Sequence, residues 1–457
     1  MQTLQSINPA NNRLVGEVSI SPEKEIIEKV KCAHSAKQKW KSLGIHTRIE
    51  MLRQLMGALK AREQEIILLT IREMGKTLTE TKNDMTWDFD YFQEFLDHGP
   101  QYLEDEITVQ KGKILHRIVY EARGVVACIV PWNFPFANFV WSVIPNLIVG
   151  NTVIFKHSEE CPLVGKLIED IVTELNIFPP GVFSEVYGGA EVGQVLVSQN
   201  IDMIWFTGSS VVGRKLFDIA GKKQIKAVLE MGGSNPAIIF DDVDIDSIVP
   251  KIYRGRFTNC GQVCDAIKRL IVHEKVYDEV VEKLTHYTRH IKIGDPEQIE
   301  TELGPLAAMR QLQLIESQIN ASIQAGAKIM IGGSRVQDFS GAYYAPTILV
   351  DVDNTMRVWK EEVFGPVLPI VPFATEEEAI RLANDTIYGL GAVVHSIDTK
   401  RAKRIAICLE AGFVDINDGN HWAQCNPFGG YKLSGMGCEH GRHGFHELCQ
   451  FKVIAEG

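Results

Sequence analysis

Four short apolar runs, each separated from the next by a helical stretch, constrain this chain most. They occupy 124–130, 152–155, 181–187 and 203–206. A continuous apolar run without alternation suits a strand buried on both faces. Strands that alternate with helices predict a parallel sheet covered on both sides. A second pattern of this kind fills 232–433. There 237–240, 270–272 and 412–416 read as strands, and 277–290 and 311–325 as helices. The fold class predicted is therefore α/β, with two sheet-centred units. Such sheets gather ligands at the C-terminal ends of their strands. Three turns stand at such ends: Pro131-Trp132-Asn133, Lys156-His157-Ser158-Glu159 and Thr207-Gly208-Ser209.

Four helices are predicted ahead of the first sheet, at 22–43, 47–62, 63–74 and 77–97. The first has Ser21 as a candidate N-cap and Pro22 at its first position. The last carries Trp87, Phe89, Tyr91, Phe92 and Phe95, which read first as core packing. The stretch 109–121 alternates loosely, and so does the tail from 445. Both read as strands that could form an arm between subunits.

At 457 residues the chain should divide into two or three domains. A formal charge of −11 argues against nucleic acid or an anionic membrane as partner. Nine cysteines without a CxxC pair imply a reducing compartment and no disulfide framework. Cys438, His440, His443, His446 and Cys449 crowd together, but their spacing fits no standard zinc pattern, so no metal is expected. The N-terminus has neither a basic nor an apolar leader segment. The apolar run at 141–148 is too short for a bilayer. A soluble cytoplasmic protein is the expectation.

No GxGxxG follows the first strand, so the standard dinucleotide fingerprint is missing. The turn Thr207-Gly208-Ser209-x-x-x-Gly213 can still offer backbone amides to a phosphate at a helix N-terminus. A plain tight turn fits the same residues.

Five blocks stand in a fixed order: Pro131-Trp132-Asn133-Phe134-Pro135, Leu229-Glu230-Met231-Gly232-Gly233, Cys260-Gly261-Gln262-Val263-Cys264, Glu361-Glu362-Val363-Phe364-Gly365-Pro366 and Pro427-Phe428-Gly429-Gly430. Each is weak alone. Together they resemble the NAD(P)-dependent aldehyde dehydrogenase superfamily over almost the whole chain. The resemblance implies a cofactor domain at 1–101 and 122–231, a catalytic domain at 232–433, and a β oligomerisation arm at 102–121 and 434–457. A homodimer or homotetramer follows from it.

It also implies roles. Cys264, which follows Gly-Gln, would be the nucleophile; Cys260 is a rival, and the two could form a reversible disulfide. Asn133 would hold the oxyanion together with the Cys264 backbone N–H. Glu230 would be the general base that hydrolyses the thioester. Coenzyme-A-acylating relatives generally lack that Glu, so a free acid is the expected product. Lys156 and Glu159 would bind the adenosine ribose, and Glu362 the nicotinamide ribose. Trp132, Thr207, Gly208, Ser209, Gly213 and Phe364 complete the implied cofactor set. A carboxylate at Glu159 favours NAD over NADP.

Lys156-His157-Ser158, Gly255-Arg256-Phe257 and Cys264-x-Ala266-x-Lys268-Arg269 resemble the short succinate-semialdehyde dehydrogenase-like branch. That implies a substrate with a carboxylate, such as succinate semialdehyde; a broad aliphatic or aromatic aldehyde range is the alternative, and a non-catalytic binding protein on the same fold is a third reading. Three features depart from the pattern. The loop 417–426 matches no semialdehyde motif, and Trp422 within it could touch the aldehyde. Cys438 stands where Arg is usual. Asp265 follows the nucleophile directly, and a carboxylate there would oppose the thiolate if it pointed inward.

Overall fold

The computed structural model describes residues 2–457. In the first sheet Val125–Ile129 is central. Thr152–Lys156 and then Phe183–Glu185 lie on one side of it, and Met203–Thr207 and then Lys226–Glu230 on the other. All five run parallel. Alternate residues feed two separate cores. Val126, Cys128, Val153 and Phe155 pack on one face, while Val125, Ala127 and Ile154 pack on the other. That two-sided burial is why these strands read as unbroken apolar runs.

The strand order reverses between Val125–Ile129 and Met203–Thr207. Pro131–Asn133 and Thr207–Ser209 leave the sheet on the two sides of that switch point, where an α/β sheet opens a crevice.

The second sheet has the order Lys328–Ile331, Thr347–Val350, Val367–Phe373, Ile267–His273, Asn235–Ile239, Gly391–His395, Phe413–Ile416. Only Lys328–Ile331 runs antiparallel. The segment with Cys264 links helix Ile245–Phe257 to the central strand Ile267–His273.

A three-stranded antiparallel ribbon joins Glu106–Lys111, Ile114–Ala122 and Cys449–Glu456. Of the expected arm over 434–457, Cys449–Glu456 is the part that joins this ribbon. Gly435–Met436 is instead the edge strand of the first sheet, antiparallel to Lys226–Glu230. Ser434 fixes it there: its carbonyl accepts from Met231 N at 2.8 Å, and its hydroxyl donates to the Gly232 carbonyl at 2.6 Å. Gly441–Glu447 is a helix, anchored by Phe445 against Phe95 and Tyr102. The weak alternation read from 445 falls on the strand Cys449–Glu456, while buried apolar contact makes the stretch before it helical.

Helix Glu23–Ser42 starts after Pro22, and Ser21 does not cap it; the Ser21 hydroxyl donates to Glu25 Oε1 at 3.0 Å. Helix Leu78–Tyr102 begins with a capping box between Thr77 and Glu80. It continues past Asp97 through Pro100, held by the packing of Ile148 and Phe445 against Gly99. No helix among the described residues is long and apolar enough to cross a membrane.

Candidate active site

The backbone ahead of Cys264 is strained. Asn259, Cys260 and Gly261 all have left-handed φ, at 52°, 54° and 72°. Such a conformation costs roughly 1–3 kcal/mol for each non-glycine residue and persists only where the surroundings over-determine it. Four side chains do so here. Glu80 uses one oxygen in its capping box, and the other accepts from Asn259 N at 2.8 Å. Asn259 Nδ2 donates to the Asn133 carbonyl at 3.0 Å. Gln262 Nε2 donates to the Asn259 carbonyl, and Gln262 Oε1 accepts from Ala307 N at 2.9 Å. Fully buried Arg256 spreads its guanidinium over the carbonyls of Val367, Val363, Gly261 and Gly365. Gly261 is required: a Cβ there would strike the Gly365 backbone.

Arg256→Ala would leave those carbonyls unpaired in the interior. It is expected to cost about 3 kcal/mol or more, read as a lower urea midpoint.

The loop ends with Cys264 in the wall of a cavity of about 410 Å³. Trp87, Trp141, Trp422, Phe134 and Phe413 supply most of its apolar lining. Trp422 stacks on Trp141 with ring centroids 5.7 Å apart and meets Trp87 edge-on at 5.0 Å. Cys264 is half-buried and faces this space, whereas Cys260 is buried in the core beside Tyr253 and Phe257. The two thiols occupy different surroundings, and all nine cysteines are free. Burial pushes the Cys264 thiol well above its usual range; the charge of Asp265 adds to this and that of Lys268 opposes it.

Asn133 is buried directly behind the loop, and its side-chain NH2 donates to the Gln262 carbonyl at 3.1 Å. One amide hydrogen is thereby used and one is spare. Glu230 ends its strand, level with Thr207. The turn after it presses on Cys264, since a Cβ on Gly233 would meet the Cys264 carbonyl oxygen at 2.8 Å. Neither carboxylate oxygen of Glu230 has a hydrogen-bond partner. Burial raises its pKa well above the ordinary range, and the charges of Glu439 and Glu447 raise it further.

The aldehyde dehydrogenase family model matches residues 1–454. The chain belongs to that family. It is 35% identical over 460 residues to a mitochondrial succinate-semialdehyde dehydrogenase of Oryza sativa subsp. japonica, covering 100% of this chain and 86% of that one. It is 34% identical over 451 residues to succinate-semialdehyde dehydrogenase [NADP(+)] of Deinococcus radiodurans, covering 98% and 94%. A crystal structure of betaine aldehyde dehydrogenase from Staphylococcus aureus in complex with NAD+ superposes with a TM-score of 0.95 at 32% identity, covering 100% and 91%. The protein is thus an enzyme that oxidises aldehydes, built on the family's α/β fold.

The residues expected to hold the dinucleotide form two groups in this aldehyde dehydrogenase. Trp132, Lys156, Glu159, Thr207, Gly208 and Ser209 stand at strand ends of the first sheet. Ser209 caps helix Ser210–Lys223, and Gly213 lets that helix sit against Met231, whose sulfur a Cβ would strike. Lys156 is a buried ammonium whose one hydrogen bond goes to the His157 carbonyl, which leaves donors free. Glu362 and Phe364 reach over from the second unit. Phe364 meets Trp132 edge-on at 5.6 Å. Glu362 Oε1 accepts from Lys268 Nζ at 2.9 Å and from Gly233 N at 3.2 Å.

Cys438, His443, His446 and Cys449 line one surface cavity, while His440 turns away into the core. His440 is buried among Tyr91, Phe95 and Trp141, Cys449 donates to the Phe445 carbonyl, and His446 bonds the Tyr102 carbonyl. Among the described residues no His, Cys, Asp and Glu group suited to a metal is found.

Sequence reasoning missed Glu80, Gln262 and the loop-holding role of Arg256. Gln262 lay inside a quoted motif, which was its only signal. The site of Asp265 is now defined: Asp265 Oδ2 accepts from Trp422 Nε1 at 3.0 Å and lies 3.4 Å from His421 Nε2.

Proposed function

We propose that the chain oxidises an aldehyde with an apolar or aromatic tail to the free carboxylic acid, with NAD as hydride acceptor. The single observation that carries this is Cys264 set in an aromatic cavity at the end of a strained, over-anchored loop. In this reading the Cys264 thiolate attacks the carbonyl carbon. The spare N–H of Asn133 and the Cys264 backbone N–H hold the resulting oxyanion. A dinucleotide bound at the strand ends supplies the acceptor for the hydride that leaves carbon, which turns the thiohemiacetal into a thioester. Glu230 then takes a proton from water, and the attack of that water frees the acid.

The lining supports an uncharged tail over succinate semialdehyde. Its cationic residues are Lys251, which is paired with Asp418, Arg254, which is exposed, and His421, which is held between Asp265 and Asp415. A substrate carboxylate on the tryptophan floor would therefore meet no unpaired buried cation. A cationic aldehyde is a second reading, because Asp84, Asp265 and Asp415 share the cavity with three indole faces.

Lys156 and Glu159 support NAD. Arg310 Nη2 lies 3.4 Å from Glu159 Oε1, however, and tempers the repulsion of a 2′-phosphate. The ribbon exposes Ile107, Phe451 and Val453, which supports a homodimer or homotetramer closed over it.

The test is NADH formation with hexanal, benzaldehyde, betaine aldehyde and succinate semialdehyde, each with NAD and with NADP. Hexanal or benzaldehyde is expected to give the highest kcat/KM, with NAD the better acceptor. Succinate semialdehyde in first place would overturn the tail assignment, and a higher kcat/KM with NADP would overturn the cofactor assignment.

A further inference from the structure

Asp265 places a carboxylate next to the nucleophile in sequence, and its surroundings are built to offset it. His421, from the loop before Pro427, bridges two carboxylates. Its Nδ1 lies 2.8 Å from Asp415 Oδ2 and its Nε2 lies 3.4 Å from Asp265 Oδ2. All three side chains are largely buried, with relative exposures of 14%, 17% and 11% for His421, Asp415 and Asp265. The imidazole is clamped flat on Phe413, with centroids 3.4 Å apart and planes 13° apart. Trp422 donates to the same Asp265 oxygen.

We propose that His421 is a positioning residue for the nucleophile: held between Asp265 and Asp415 as a cation, it cancels the carboxylate charge beside Cys264 that would otherwise oppose the thiolate. This rests on the reading of Cys264 as the nucleophile.

The surrounding groups leave His421 as the cation facing that carboxylate from the cavity side. Lys268, on the same segment as Asp265, is committed to Glu362 and the Cys264 carbonyl. On the neighbouring strand, His395 is pushed down to about 4 by burial and is neutral. Lys251, on helix Ile245–Phe257, is paired with Asp418. From the C-terminal segment, His440 is pushed down to about 3 by burial and is neutral; Glu439 is pushed up to about 8 by burial. Tyr91, on helix Leu78–Tyr102, is raised by burial and is neutral.

Burial disfavours the His421 cation, but the Asp415 hydrogen bond and the charges of Asp265 and Asp415 outweigh it and raise its pKa. Burial likewise acts to raise Asp265, yet the nearby His421 imidazole, the charge of Lys268 and the Trp422 hydrogen bond hold it below the usual carboxylate range. The cation is therefore present below the raised pKa of His421 and lost as pH climbs through it.

The experiment is alkylation of the full chain by iodoacetamide from pH 6 to pH 9, following the Cys264 peptide by mass spectrometry. It needs neither aldehyde nor dinucleotide, so it reads the proposal even if the dehydrogenase assignment fails. At pH 7, Asp265→Asn is expected to react about three- to tenfold faster than wild type, and His421→Gln about three- to tenfold slower, because the rate follows the thiolate fraction. The double variant should return close to wild type, because the charge and the cation that cancels it are removed together. If His421→Gln leaves the rate unchanged, or the double variant stays as slow as His421→Gln alone, the proposal falls. Should His421→Gln not fold, wild type against Asp265→Asn decides. Wild type is expected to gain rate less steeply with pH while His421 titrates, and Asp265→Asn to show that break at lower pH, because the imidazole has lost one of its two carboxylates. Identical profiles would overturn the idea.

Discussion

Cys264→Ala is expected to lower aldehyde oxidation by about 10⁴-fold or more, since removing a covalent nucleophile leaves only binding and oxyanion stabilisation. The cavity offers no replacement, because the rival thiol of Cys260 is buried in the core of the second unit. The fold should survive, since Cys264 is half-buried and its side chain faces an open cavity. The check is NADH production together with fluorescence titration of NADH binding. Lost turnover with intact binding is the expected pair of results. A variant that kept more than a few per cent of wild-type turnover would remove Cys264 from the mechanism.

Glu230→Gln is expected to lower kcat by about 10²- to 10⁴-fold, the usual range for a general base, while keeping a burst of NADH in the first turnover. Formation of the thioester does not call on Glu230; its hydrolysis does. A stopped-flow trace separates the two phases. Loss of the burst as well would place Glu230 before the thioester, and unchanged turnover would deny it the role of base. The pH dependence has a definite sign. Burial, aided by Glu439 and Glu447, raises the Glu230 carboxyl, so its base form grows as pH rises through that raised value. Wild-type turnover should increase over this range, and Glu230→Gln should lose the increase.

The elements and their order were legible in the sequence because they depend on neighbours in the chain. The run at 124–130 is apolar throughout because both faces of Val125–Ile129 are buried. Gly75 ends helix Glu63–Met74 because it adopts a left-handed φ of 79°. The block before Cys264 pointed to that cysteine only through the resemblance carried by five blocks in order. The helix expected over 77–97 runs on to Tyr102, since packing on Gly99 carries it through Pro100.

The site's supports were not legible, because each depends on residues far apart in the chain that only packing unites. Glu80 reaches Asn259 across 179 positions, and Trp422 reaches Asp265 across 157. In sequence, Glu80 is half of a capping box and His421 is one histidine in a polar loop. The direction of Asp265 is decided the same way. No local preference turns a side chain beside Cys264 toward a tryptophan and a histidine on another loop. The two sheets bring that loop over the cavity, and the burial they impose makes the carboxylate seek those partners.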